Sequence, residues 1–210
     1  ANHSAGAPNK TEAGRLQPIA SRVLMKILYA ARMARFDLLK ATNVLATRIT
    51  KWDKTCDRML HRLVAYIKSS LKTRMFGYIG DSPRNLWIDL FADADLAGCG
   101  VTARSTSGVF KCMAGINSFV PASAIAKRQP ATSHSTPEAE LVAADLGVRS
   151  EGLPGLDAWE TILNRNVVLR FQEDNQAACR IINSGESTAL RHITRSHRID
   201  VAWLNERHTE

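Results

Sequence analysis

Six carboxylates sit in three short motifs, each at a point where the residue pattern changes. Asp93 and Asp95 fall in FADADLAGC, Glu138 and Glu140 in SHSTPEAELVAAD, and Glu173 and Asp174 in FQEDNQAA. Hard oxygen donors contributed by separate elements are what a pair of divalent cations needs for phosphoryl hydrolysis. One ion lowers the pKa of the attacking water and the other stabilises the leaving 3′-oxygen. Several of these carboxylates also have a plainer use. Ser135-Thr136-Pro137-Glu138 has the spacing of a capping box, which predicts that Glu138 bonds back to a helix N-terminus. Asp174-Asn175 suits a strand-to-helix turn with a helix cap. Asp95 suits the turn after its strand, and Asp89 a solvated strand position. Glu140 lies beyond the capping box and has no such use.

The elements that must carry these groups can be read from periodicity. Residues 1–17 are small and polar and are expected to be a loose leader. Residues 18–76 read as helical: Val23, Ile27, Ala30, Ala31 and Ala34 recur at helical steps from about Ile19 to Thr50. A second helix from about Thr55 to Lys72 has an apolar stripe of Leu60, Leu63, Val64, Ile67 and Leu71, with Lys54, Arg58, Arg62 and Lys68 around it. Residues 77–85 are rich in turn formers and read as a linker.

From residue 86 the period becomes two. Strands are expected over 86–95, 108–115 and 117–126, then helices over 136–149 and 156–163 separated at Gly152–Gly155. A fourth strand over 167–174 leads into a helix ending at Gly185, and a last helix covers about Ile193 to Arg207. Three strands in a meander followed by helix and strand predict an α/β fold with a mixed sheet over 86–210.

Composition sets limits. The apolar fraction of 45% supports a packed core. Cys56, Cys99, Cys112 and Cys179 form no C-x-x-C pair, against a zinc site and against a secreted disulfide framework. The net charge of +8 is divided unevenly: residues 1–80 hold 15 Lys/Arg against 4 Asp/Glu, and residues 81–210 hold 13 against 16. A basic segment before an acidic one suits phosphate contact by the first and cation binding by the second. Lys26, Arg32 and Arg35 interrupt the best apolar run, so no membrane span is expected. The acid-free stretch from Arg15 to Arg35 has the composition of a mitochondrial transit peptide. The residues leave cytoplasmic and nuclear residence both open.

Taken in order, FADADLAGC…RSTSG, KRQPATSHSTPEAELVAA, EDNQAA and RHITRSHRIDVAWL resemble the ribonuclease H region of copia-type retrotransposon polyproteins, whose pattern is similar to SDADWAGC…RRSTSG, KKQP…SSTEAEYIA, CDNQSAI and KHIDIRYHFIRE. RFDLLKATNVLA and WDKTCDRMLHRLVAYIKSSL resemble the end of that family's reverse transcriptase. The resemblance implies a ribonuclease H-like mixed sheet, with strands one to three an antiparallel meander and strand four parallel to strand one. It implies hydrolysis of RNA in RNA–DNA hybrids with two Mg²⁺ or Mn²⁺ ions. Asp93, Glu140 and Asp174 match the catalytic, metal-holding carboxylates, and their order Asp, Glu, Asp differs from the Asp, Asp, Glu of the integrase core.

The family's domain continues with a fifth strand and a helix like Ala-Asp-Ile-Phe-Thr-Lys, whose aspartate is a fourth ligand. That segment is expected to be missing here, which puts activity in question and makes a catalytically inactive nucleic-acid-binding or decayed fragment the alternative. Asp200 aligns with a helical position and not with that ligand. Leu96 stands where the family has tryptophan. The implied partners are RNA–DNA hybrid or duplex and the remainder of the reverse transcriptase. Arg58, Arg62 and Lys68 early in the chain, and Arg191, Arg195 and Arg198 late in it, are the candidate phosphate contacts. His192, His197 and His208 are spaced wrongly for a helical metal pair.

Overall fold

A computed structural model describes residues 12–99 and 102–209, in two compact units that divide between Arg74 and Met75. The first is helical: α1 (Gln17–Met33), α2 (Leu39–Ala46) and α3 (Lys54–Ser69), with a short 3₁₀ turn at Phe36–Leu38. The long helix expected from Ile19 to Thr50 is therefore broken at Ala34–Arg35. Arg35 adopts a non-helical backbone conformation, and its guanidinium ties down Asp37 and the Ser70 carbonyl and hydroxyl. The buried face of α1 is Ala20, Leu24 and Ala31, so the apolar stripe is narrower than periodicity suggests. On α3, Cys56, Leu60 and Leu63 are buried while Val64 is exposed, and Leu71 lies exposed beyond the end of the helix.

The part of the expected leader that is described is tied down. Ala13 bridges Asp53, the Gly14 amide donates to the Trp52 carbonyl, and Asp57 accepts from the Arg15 and Leu16 amides and the Trp52 indole. The expectation for residues 1–11 lies outside the described residues.

The second unit is a mixed α/β arrangement with a five-stranded sheet. Its strands are β1 (Tyr78–Ile79), β2 (Trp87–Asp95), β3 (Thr106–Gly115), β4 (Ser118–Arg128) and β5 (Leu169–Gln172), in the order β1-β4-β3-β2-β5. β2, β3 and β4 form the antiparallel meander, and β5 lies parallel to β2 with Ile88 opposite Leu169. The stretch read as a linker contains β1, which pairs with β4 through Tyr78–Phe119 and Ile79–Ser118.

Alternation in β2 turns Ile88, Leu90, Ala92 and Ala94 toward the helices. These helices are α4 (Thr136–Gly147), α5 (Leu153–Leu163), α6 (Gln176–Ser184), α7 (Ile193–Ser196) and α8 (Val201–Thr209). The core joins Leu90 and Val109 of the sheet to Leu141, Ile182, Ile193, Ile199 and Leu204.

Two helix boundaries differ from the sequence expectation. No break separates α4 from α5: the chain widens into a π-turn at Val148–Gly152, where Pro154 just beyond lacks an N–H for a regular helical bond. The Lys111 ammonium holds this turn through the Glu151 carbonyl (3.0 Å) and carboxylate (2.9 Å). The expected last helix is instead split into α7 and α8, with Arg198 in the left-handed region (φ 60°). The split buries His197 and Ile199, and Asp200 then accepts from the Ala202 and Trp203 amides at the start of α8. Asp200 is thus a cap.

Candidate functional site

Asp93, Glu140, Glu173 and Asp174 are carried to the end of the sheet where β2, β5 and α4 meet. Asp93 lies two residues before the end of β2, opposite Gly108, and is exposed. Parallel pairing of β5 with β2 brings Glu173 and Asp174, just past the end of β5, to the same end of the sheet. Glu140 comes from the first turns of α4 and is only 4% exposed. The close approach of α4 to β2 rests on four small side chains, Ala92, Ala94, Ala139 and Ala143, which pack together.

The electrostatic effect falls on the two buried acids, Glu140 and Glu173. Burial pushes the Glu140 carboxyl up to about 7, and the negative charges of Glu173, Asp93 and Asp174 push the same way, against a hydrogen bond from the Ala94 amide. Glu173 is raised as well, first by burial and then by Asp174 and Asp93. Glu173 Oε1 accepts from the Asn175 amide at 2.9 Å. Its Oε2 and the Oε2 of Glu140 are buried without a hydrogen-bond partner. A buried oxygen with neither proton donor nor cation is costly. Hard-oxygen donors with two such orphaned atoms fit a divalent cation by charge and chemistry. As they stand, no three acidic, His or Cys side chains among the described residues are arranged closely enough to hold an ion.

Sequence reasoning named Asp174 as the ligand after β5. The structure leaves Asp174 exposed and puts Glu173 half-buried beside Glu140, with the larger effect on it. The signal was the two-residue alternation itself: Leu169, Phe171 and Glu173 share the helix-facing side. Asn175 caps α6 as expected, accepting from the Ala177 and Ala178 amides at 3.0 Å each. Asp95 is engaged in the β2–β3 turn through the Thr106 amide.

Glu138 does more than close a capping box. Ser135 Oγ accepts from the Glu138 amide, and Glu138 Oε2 accepts from the His134 amide at 2.8 Å, one residue earlier than the simple box requires. The side chain is fully buried, with Oε1 at 3.1 Å from His192 Nε2 and 3.2 Å from His197 Nε2. Burial pushes the His197 pKa down despite the pull of Glu138, so the ring stays neutral near pH 7. This pairing of a carboxylate with two distant imidazoles is invisible to a spacing argument.

Arg58, Arg62 and Lys68 are exposed on α3, on the side away from Cys56, Leu60 and Leu63. Arg191, Arg195 and Arg198 are exposed around α7, whereas His197 between them is buried. No helix of the described residues is long and apolar enough to cross a membrane.

No protein-family model matches this chain, and no solved structure matches it. The chain is 31% identical over 134 residues to the uncharacterized mitochondrial protein AtMg00810 of Arabidopsis thaliana. The match covers 61% of this chain and 53% of that protein, so the chain spans about half the length of the relative.

Proposed function

We propose that this chain is a ribonuclease H-like part of a copia-type retrotransposon polyprotein that hydrolyses RNA in RNA–DNA hybrids. The observation that carries the reading is the acid cluster: Asp93, Glu140, Glu173 and Asp174, from the ends of two adjacent parallel strands and a facing helix, with two buried oxygens lacking partners. The meander with β5 parallel to β2 and α4 packed across it supports the same reading.

In this mechanism Asp93, Glu140, Glu173 and Asp174 would hold a pair of Mg²⁺ ions. When bound, the ions would supply activation of the attacking water and stabilisation of the leaving 3′-oxygen. Glu140, raised to about 7, would have to be deprotonated to serve as a ligand. The exposed arginines and lysine hold the nucleic-acid backbone.

A second reading is favoured by one observation, that among the described residues no three acidic, His or Cys side chains converge on a point that could hold an ion. In it the chain binds nucleic acid without cleaving it. The deciding experiment incubates the chain with an RNA–DNA hybrid and Mg²⁺, beside a longer chain carrying the family's fifth strand and aspartate-bearing helix. Cleavage by either that disappears in D93N supports hydrolysis. Binding without cleavage by both supports the second reading.

A further inference from the structure

Gln129, in the KRQP segment directly after β4, is 2% exposed, with its amide and both side-chain polar atoms engaged. Its amide donates to the Ser105 carbonyl at 2.8 Å, and its side-chain oxygen accepts from Ser133 Oγ at 2.9 Å. Its side-chain nitrogen donates to Ser107 Oγ at 3.0 Å and to the Ala139 carbonyl at 2.9 Å. The last two bonds reach different elements. Ser107 lies in β3 opposite Ala94, next to the Asp93–Gly108 pair, and Ala139 immediately precedes Glu140 in α4. One planar amide therefore spans from the strand pair at Asp93 to the helical turn that carries Glu140.

The packing around it makes that span matter. At the acid-bearing end α4 meets β2 through alanines, which allow close approach but interlock little, while Leu141 joins the core cluster of Leu90 and Val109 further along. We infer that Gln129 is a positioning residue that fixes the separation of Asp93 from Glu140; its role in ion binding rests on the hydrolase reading above.

The test uses the full chain and Mn²⁺, followed by the loss of the free-ion EPR signal. Q129M matches the length of glutamine but makes neither bond, and Q129E as a carboxylate cannot donate, or as a neutral acid can donate only one of the two bonds. S107A removes the strand partner alone and leaves the bond to α4. Outer ligand-supporting bonds typically change metal affinity about ten- to a hundredfold. The expected result is a loss of about that size in whichever of Q129M and Q129E stays folded by circular dichroism, with a smaller loss in S107A, where the Gln129 amide still holds the Ser105 carbonyl. Affinity unchanged in the folded Gln129 variants, or a larger loss in S107A than in them, overturns the inference.

Crystal structures of ion-free wild type and variant provide a readout that needs no metal. A shift of the Asp93–Glu140 Cα separation beyond about 0.5 Å supports the positioning role, and an unchanged separation overturns it. Mn²⁺ binding that is absent from wild type, or insensitive to D93N and E140Q, sinks the hydrolase reading instead, and the crystallographic comparison still decides the role of Gln129.

Discussion

Glu138 and Glu140 stand two residues apart on one helix, and their surroundings predict opposite responses to the same substitution. Glu140 is an acid whose folded pKa, about 7, lies above its ordinary value near 4.5. The folded chain thus holds a proton that the unfolded chain releases between those two values, and stability from this group falls as pH rises through the window. Two to three pH units correspond to roughly 3 kcal/mol. In ion-free protein, E140Q should match wild type near pH 4 and exceed it by an amount of that order at pH 8. Urea unfolding at several pH values measures the difference, and a flat difference would remove the electrostatic account. His197 titrates in the opposite sense, because its lowered pKa costs stability as pH falls below the imidazole range, but both proteins share that slope. E138Q should instead destabilise by about 1–3 kcal/mol, since a fully buried group loses its match to two imidazoles. Sequence spacing alone sees Glu138 as a cap and expects little cost; the partners at His192 and His197 lie more than fifty residues away and leave no local trace.

At the scale of elements, the turn from β5 into α6 offers a cleaner test because its parts were readable beforehand. Asn175 caps α6 with two bonds, and the Asn175 amide in turn holds Glu173. N175A should cost about 1 kcal/mol in thermal or urea unfolding, and N175S should recover most of it. Equal losses in both would mean that the asparagine acts through something other than its cap. The meander, α3, α6 and the helix start at Ser135 were all legible, because each depends on local alternation, a cap or a terminating glycine such as Gly185 (φ 72°). The elements that were misread depend on distant groups. Arg35 breaks the first long helix through Ser70, Lys111 holds the π-turn through Glu151, and burial of His197 and Ile199 divides the last helix. β1 escaped because two exposed residues carry no alternation, and their place comes from pairing with Phe119 and Ser118. For the site, order alone named three motifs, whereas which of Glu173 and Asp174 is the more buried acid required the face of the strand.

At the scale of the whole molecule, charge separates the two proposed activities. Residues 1–80 carry a large excess of cations, and Arg58, Arg62 and Lys68 project from α3 on the side opposite its core. Release of counterions from a nucleic-acid backbone makes the logarithm of affinity fall linearly with the logarithm of salt concentration, with a slope of about −0.9 per phosphate neutralised. Replacing all three residues with alanine should therefore flatten the slope by about 3 if each contacts a phosphate. The same treatment of Arg191, Arg195 and Arg198 tests the α7 region independently. Fluorescence anisotropy with a labelled RNA–DNA hybrid from about 50 to 200 mM salt gives both slopes. D93N serves as the control from the other end of the chemistry: it removes one negative charge near the nucleic acid and should leave the slope unchanged or slightly steeper while abolishing any cleavage. Loss of the salt slope on the α3 substitutions together with cleavage that survives D93N would separate binding from the acid cluster and defeat the hydrolase proposal. Slopes unaffected by either triple substitution would place the phosphate contacts on other cations of the chain.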